Sequence, residues 1–279
     1  MHRRFSSVIF LTTSAAICVA GLFVAGAGNA LVPLQPRSAE QVKPPTPPGQ
    51  RLDQITPPPA QSAKTPLTVV VIDPAHGGAD SGARGSSGIN ESEIVMDFTR
   101  AIRAALESQG FRVVQTRTGN EGPSFDDRSA IANAQRGSVF ISIHVASTGP
   151  FGQARVYSQS APDSIDRLVN PQTFGTLSFP VRNALLPWDH AQEPYLAASR
   201  RLAELAQSAF AQKFKGSPDA PISAPVRQLR TVGAPAIAIE VSSVSTTDRE
   251  QLLRMAPWIA ESIAQAVTSF RPIYEAAGH

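Results

Sequence analysis

Apolar positions between residues 67 and 270 follow two alternating rhythms. Thr68-Val69-Val70-Val71-Ile72 is an unbroken, mostly β-branched run, the pattern of a strand covered on both faces. Residues 92–109 then place Ile94, Val95, Phe98, Ile102, Ala105 and Leu106 at helical spacing, and Gly110 supplies a stop. A second strand is predicted over 111–116, a second helix over 126–136 closed by Gly137, and a third strand over 139–143. A less regular stretch follows. Beyond it a helix is predicted over 195–214 and a strand over 236–241, and Leu252, Ala256, Ile259, Ile263 and Phe270 mark a last amphipathic helix. Strands alternating with helices predict an α/β fold: a single open, mostly parallel or mixed sheet with helices on both faces.

The first 66 residues keep neither rhythm. Met1-His2-Arg3-Arg4 is a short basic start, an apolar run extends from Val8 to about Ala27, and small residues follow. Residues 1–30 therefore form a signal peptide or N-terminal anchor. At roughly 20 residues the run is also long enough to span a bilayer, so cleavage and anchoring both stand. Residues 31–66 are dominated by Pro, Gln, Ser and Thr, with the runs Pro44-Pro45, Pro47-Pro48 and Pro57-Pro58-Pro59, an extended spacer rather than a domain. The folded body is 67–275. It is exported on either reading of the leader, periplasmic or secreted, and meets a membrane only through an uncleaved leader.

Composition narrows the chemistry. With 42% hydrophobic residues in 279, the chain can build one sizeable core. Its net charge of +3 falls to +1 once Arg3 and Arg4 are set aside, which leaves no electrostatic footprint for nucleic acid. The only cysteine is Cys18, in the leader. A metal in the body would therefore be held by His and carboxylates.

Ligands of such sheets gather beyond the carboxyl ends of the strands. The first strand runs into Asp73-Pro74-Ala75-His76-Gly77-Gly78, the third into His144 and the late one into Glu240, while Glu91 opens the first helix after the loop 82–88. Folding can bring these four to one rim. Each also has a plainer explanation: a histidine at a strand end hydrogen-bonds or packs, and Glu91 and Glu93 after Asn90 suit a helix N-terminus. Glu240 has the strongest case alone, because a carboxylate within Ala236-Ile237-Ala238-Ile239-Glu240-Val241 is costly unless compensated.

Several of these segments are similar to one known family. Residues 71–83, Val71-Ile72-Asp73-Pro74-Ala75-His76-Gly77-Gly78 onward, resemble the opening motif of the zinc-dependent N-acetylmuramoyl-L-alanine amidases of the bacterial cell wall. Gly88-Ile89-Asn90-Glu91, Thr116-Arg117, Arg128 with Ala132-Asn133, Phe140 to His144 and Pro235 to Glu240 resemble later segments of that family, in its order and at its spacing. The resemblance implies one Zn2+ ion bound by His76, Glu91 and His144, with Glu240 beside it as general acid/base. It implies hydrolysis of the amide between N-acetylmuramic acid and L-alanine in peptidoglycan.

The sequence also departs from the family. Ala75 replaces a glycine, Ser92 a lysine, Val145-Ala146-Ser147 after His144 lacks the asparagine usual close by, and Val241-Ser242-Ser243-Val244-Ser245 stands where a Gly-Phe-containing segment is usual. These changes leave a catalytically impaired wall-binding or regulatory pseudoenzyme as one alternative; a zinc peptidase acting on stem peptides, whose metal chemistry would be the same, is another. The stretch 160–194 is longer than a minimal domain requires. It is either a gate over the cleft, moved by a protein activator, or a surface loop bordering it. His190, within it, is left out of the metal set.

Overall fold

The computed structural model describes residues 65–85, 87–161, 187–245 and 249–277. The leader, the linker through residue 64 and the middle of the 160–194 stretch lie outside the described residues. Six strands form one sheet: β1 (Val69–Pro74), β2 (Arg112–Gln115), β3 (Ser138–Ala146), β4 (Ala154–Gln159), β5 (Ile222–Ala224) and β6 (Ala236–Ser242). Their order is β2-β1-β3-β6-β4-β5. Strands β2, β1, β3 and β6 run parallel, and β4 is antiparallel to β6 but parallel to β5. The helices are α1 (Glu91–Ser108), α2 (Phe125–Asn133), α3 (Leu196–Lys213), α4 (Arg227–Arg230), α5 (Arg249–Leu253) and α6 (Ala256–Ala277). The architecture is the open mixed α/β sheet that the alternation of patterns predicts.

Two cores explain the unbroken apolar runs. Val70 and Ile72 of β1, with Ile141 and Ile143 of β3 and Ile237 and Ile239 of β6, pack under α1, α3 and α6. Val69 and Val71, with Phe140, Ala236 and Ala238, face the other way onto Ala132 of α2 and Leu229 of α4. Alternate residues of a strand point to opposite faces, so a strand covered twice must be apolar throughout. Full burial of each Phe, Leu or Ile contributes about 1.5–3 kcal/mol.

That same period of two positions the chemistry. On the smaller-core face, Val71 is followed by Asp73, Phe140 by Ser142 and His144, and Ala238 by Glu240. The parallel register sets Asp73 opposite Ser142, and His144 opposite Glu240. The apolar ladder thus gives way to polar side chains at the carboxyl rim of the sheet.

Besides β5 and α4, which the sequence pattern does not predict, three features differ from the sequence reading. Strand β4 lies in the stretch left irregular. The second helix is α2, which begins at Phe125 behind a reciprocal cap between Ser124 and Asp127 and ends at Asn133, short of the expected 136. The last helix is two, with α5 separated from α6 at Arg254 and Met255.

Candidate metal site

The first side chain of the site sits on a strained turn. His76 adopts φ 61°, followed by Gly77 at 117° and Gly78 at 63°. A non-glycine residue there costs about 1–3 kcal/mol and persists only where its surroundings hold it. Two buried arginines do so. Arg117 donates to the carbonyls of Pro74 (2.8 Å) and Ala75 (2.7 Å). Arg128 donates to the carbonyls of Pro74 (2.9 Å) and His76 (2.8 Å), and to Asp73 Oδ1 at 2.6 Å. Asp73, 1% exposed, is further satisfied by the hydroxyls of Thr116 and Ser142. Side chains at Gly77 and Gly82 would collide, the first with the Glu121 carbonyl, the second with Glu91 and the His76 ring. Ala75 lies outside the positive-φ residues, so alanine there carries no backbone penalty.

Glu91 is the hub. It is 4% exposed, and its N–H donates to the Ala83 carbonyl at the foot of the glycine loop. One oxygen accepts from the Ala83 N–H (2.8 Å) and the other from the Val145 N–H (2.9 Å). The same two oxygens face His76 Nε2 at 3.1 Å and His144 Nδ1 at 3.0 Å. The capping explanation therefore divides between the two acids: Glu91 turns inward to the histidines, and exposed Glu93 pairs with Arg249 at 2.9 Å. Burial pushes the Glu91 carboxyl up, but hydrogen bonds from His144, His76 and the Ala83 N–H outweigh it and hold it well below the usual range. The hydrogen bond to Glu91 outweighs desolvation at His76 and raises its pKa to about 9.

Ligand atoms of His76, Glu91 and His144 all lie within 4.8 Å of one another. Two imidazole nitrogens and one carboxylate are a donor set suited to a catalytic zinc, which takes three protein ligands. The outer ring nitrogens are also held, as in metal sites where a second partner fixes the imidazole. His76 Nδ1 meets Asp80 Oδ2 at 2.8 Å, and His144 Nε2 meets the Gln228 amide at 2.8 Å. With the amide turned so that its oxygen accepts from Nε2, His144 Nδ1 is left bare for a metal. The chain residues present fit the ion.

Glu240 lies on β6 directly opposite His144, one strand spacing away, about 4.8 Å. Arg155 is its partner on the other side, with Nη1 3.6 Å from the carboxylate. His190 stays apart from this group and hydrogen-bonds Glu193 at 2.7 Å.

The family model described as N-acetylmuramoyl-L-alanine amidase matches residues 70–269. The chain belongs to that amidase family. Among its curated relatives, an AmiC amidase of Neisseria meningitidis is 28% identical over 77% of this chain and 55% of the relative. An AmiC amidase of Escherichia coli is 26% identical over 76% of this chain and 57% of the relative. The chain thus spans just over half the length of these relatives. Two solved structures share the fold. An N-acetylmuramoyl-L-alanine amidase of Clostridium difficile 630 aligns with TM-score 0.52 and 23% identity, covering 74% of this chain and 97% of that one. The CwlD amidase of Clostridioides difficile, solved with the GerS lipoprotein, aligns with TM-score 0.55 and 17% identity over 74% and 99%.

Within this amidase frame, sequence reasoning missed Gln228 and Arg155 and assigned no role to Asp80. The Asp80 signal was present, since an acid four residues after a histidine on a glycine turn can fold back onto its ring. Gln228 and Arg155 carry no such signal. Their roles follow from where α4 and β4 dock.

Proposed function

We propose that this chain is a zinc-dependent N-acetylmuramoyl-L-alanine amidase that cleaves the bond between N-acetylmuramic acid and L-alanine in peptidoglycan. The observation that carries the reading is the convergence of His76, Glu91 and His144 at the sheet rim, with Glu240 in register beside them. A zinc ion held by His76 Nε2, the Glu91 carboxylate and His144 Nδ1 would supply Lewis acidity to the amide carbonyl and lower the pKa of water towards roughly 7. Glu240 takes the proton of the attacking water and delivers it to the departing amine nitrogen. Asp80 and Gln228 keep the two imidazoles turned towards the centre, while Arg117 and Arg128 hold the turn that presents His76.

The setting belongs to the same proposal. Residues 1–30 export the chain to the periplasm or beyond, and 31–66 act as spacer for the catalytic body at 67–275. Among the described residues no helix is long and apolar enough to cross a membrane. The proposal includes a protein activator; the CwlD neighbour was solved in complex with the GerS lipoprotein. Digestion of purified peptidoglycan, read by mass spectrometry, tests the reaction. Intact stem peptides beginning with L-alanine, lost on chelation, are the expected product. Cleavage inside the stem peptide would make the protein a zinc peptidase instead.

A further inference from the structure

A cavity of about 340 Å³ opens from His76 and His144, passes the start of α2 and ends at Phe125 and Arg227. Its two arginines differ in what they have left to offer. Arg128 is committed to Asp73 and to the carbonyls of Pro74, His76 and Pro123. Arg227 is exposed and lies over the Phe125 ring, its guanidinium carbon 5.1 Å from the centroid. Among the described residues no carboxylate lies within ion-pair reach of it. Phe125 is 41% exposed although it opens a helix. An aromatic face beneath a guanidinium holds that group flat, with its donors free for a planar acceptor.

The position of this pair is fixed relative to the metal site. Gln228, the next residue, touches His144 at 2.8 Å, and consecutive Cα atoms are about 3.8 Å apart. A stem peptide whose L-alanine amide lies at the metal site carries its second residue about two Cα spacings, roughly 7 Å, beyond. That residue, a γ-linked D-glutamate, bears a free α-carboxylate in unmodified peptidoglycan. Asp126 and Asp80 also line the cavity, Asp80 already engaged by His76. Among the described residues that line the cavity, Arg227 is therefore the uncommitted guanidinium on which an anion can settle.

We propose that Arg227, held over Phe125, binds the α-carboxylate of the stem peptide's second residue and makes the enzyme selective for the free acid over its amide. The inference rests on the amidase reading. The test uses the full chain, its Arg227→Gln and Arg227→Lys variants, and uncross-linked peptidoglycan strands whose D-glutamate α-carboxyl is either free or amidated. A charge-assisted hydrogen bond corresponds to roughly 10- to 100-fold in kcat/KM. The wild type is expected to favour the free acid by that factor. Arg227→Gln should lose it on the free acid alone, mainly through KM, with zinc content and cleavage of the amidated strands unchanged, and Arg227→Lys should recover part. Equal cleavage of both strands by the wild type, or an equal loss on both in Arg227→Gln, overturns the subsite and leaves the amidase standing. Cleavage of neither strand by the zinc-loaded wild type overturns the amidase reading and the subsite with it.

Discussion

His76 shows how much a single residue can be asked to do. It holds a positive φ, offers one nitrogen to Glu91 and gives the other to Asp80. Its raised pKa, about 9, arises chiefly from Glu91. Because the folded value lies above 6.5, the stabilisation it gives the metal-free protein is complete below about pH 6.5 and is lost as pH rises through 9. A metal must displace that proton, so uptake tightens as pH rises. Calorimetric titration with zinc at pH 7, in buffers of different ionisation enthalpy, is expected to show release of about one proton or more per ion. Proton-neutral uptake would contradict the arrangement. Gln228 acts on the second histidine. Gln228→Leu removes the partner of His144 Nε2 and is expected to weaken zinc binding about 10- to 100-fold, measured by competition with a chromogenic chelator. The sequence exposed His76, His144 and Glu240 because each ends or interrupts an apolar strand pattern, and Glu91 because it opens a helix after the glycine loop. Gln228 interrupts nothing, so it stayed invisible.

At the level of elements, legibility followed burial. The strands β1, β3 and β6 face two cores and carry apolar residues on both faces up to the carboxyl rim, which makes them stand out. By contrast β4 alternates Ala154, Val156 and Ser158 inward with Arg155, Tyr157 and Gln159 half-covered, too small and too polar a stripe to separate from loop. The three residues of β5 are largely exposed, and α4 is a single turn. Yet α4 and β4 carry Gln228, Arg227 and Arg155, so the elements hardest to read supply the surroundings of the site. The turn between β1 and α1 depends on α2 through the buried pair Arg128–Asp73 at 2.6 Å. Removing one member strands the other charge, and Arg128→Met is expected to cost about 3–5 kcal/mol in urea unfolding. A change under about 1 kcal/mol would mean that the turn holds His76 without α2.

For the whole molecule, the site is assembled from parts far apart in sequence: β1, the entry to α1, β3, α4 and β6. No single motif decides it; what was legible was the order of several short segments, each ending at the same rim. The parallel register converts that order into geometry, since a strand end that follows an apolar ladder must emerge where its neighbours do. The catalytic assignment therefore stands or falls on one carboxylate in the central strands. Zinc content and amide cleavage, measured on the same preparations of wild type and Glu240→Gln, test it most directly. One zinc per chain in both proteins is expected, with cleavage reduced about 100- to 10,000-fold in the variant. Full activity in Glu240→Gln, or a wild type that cleaves without zinc, would contradict the account.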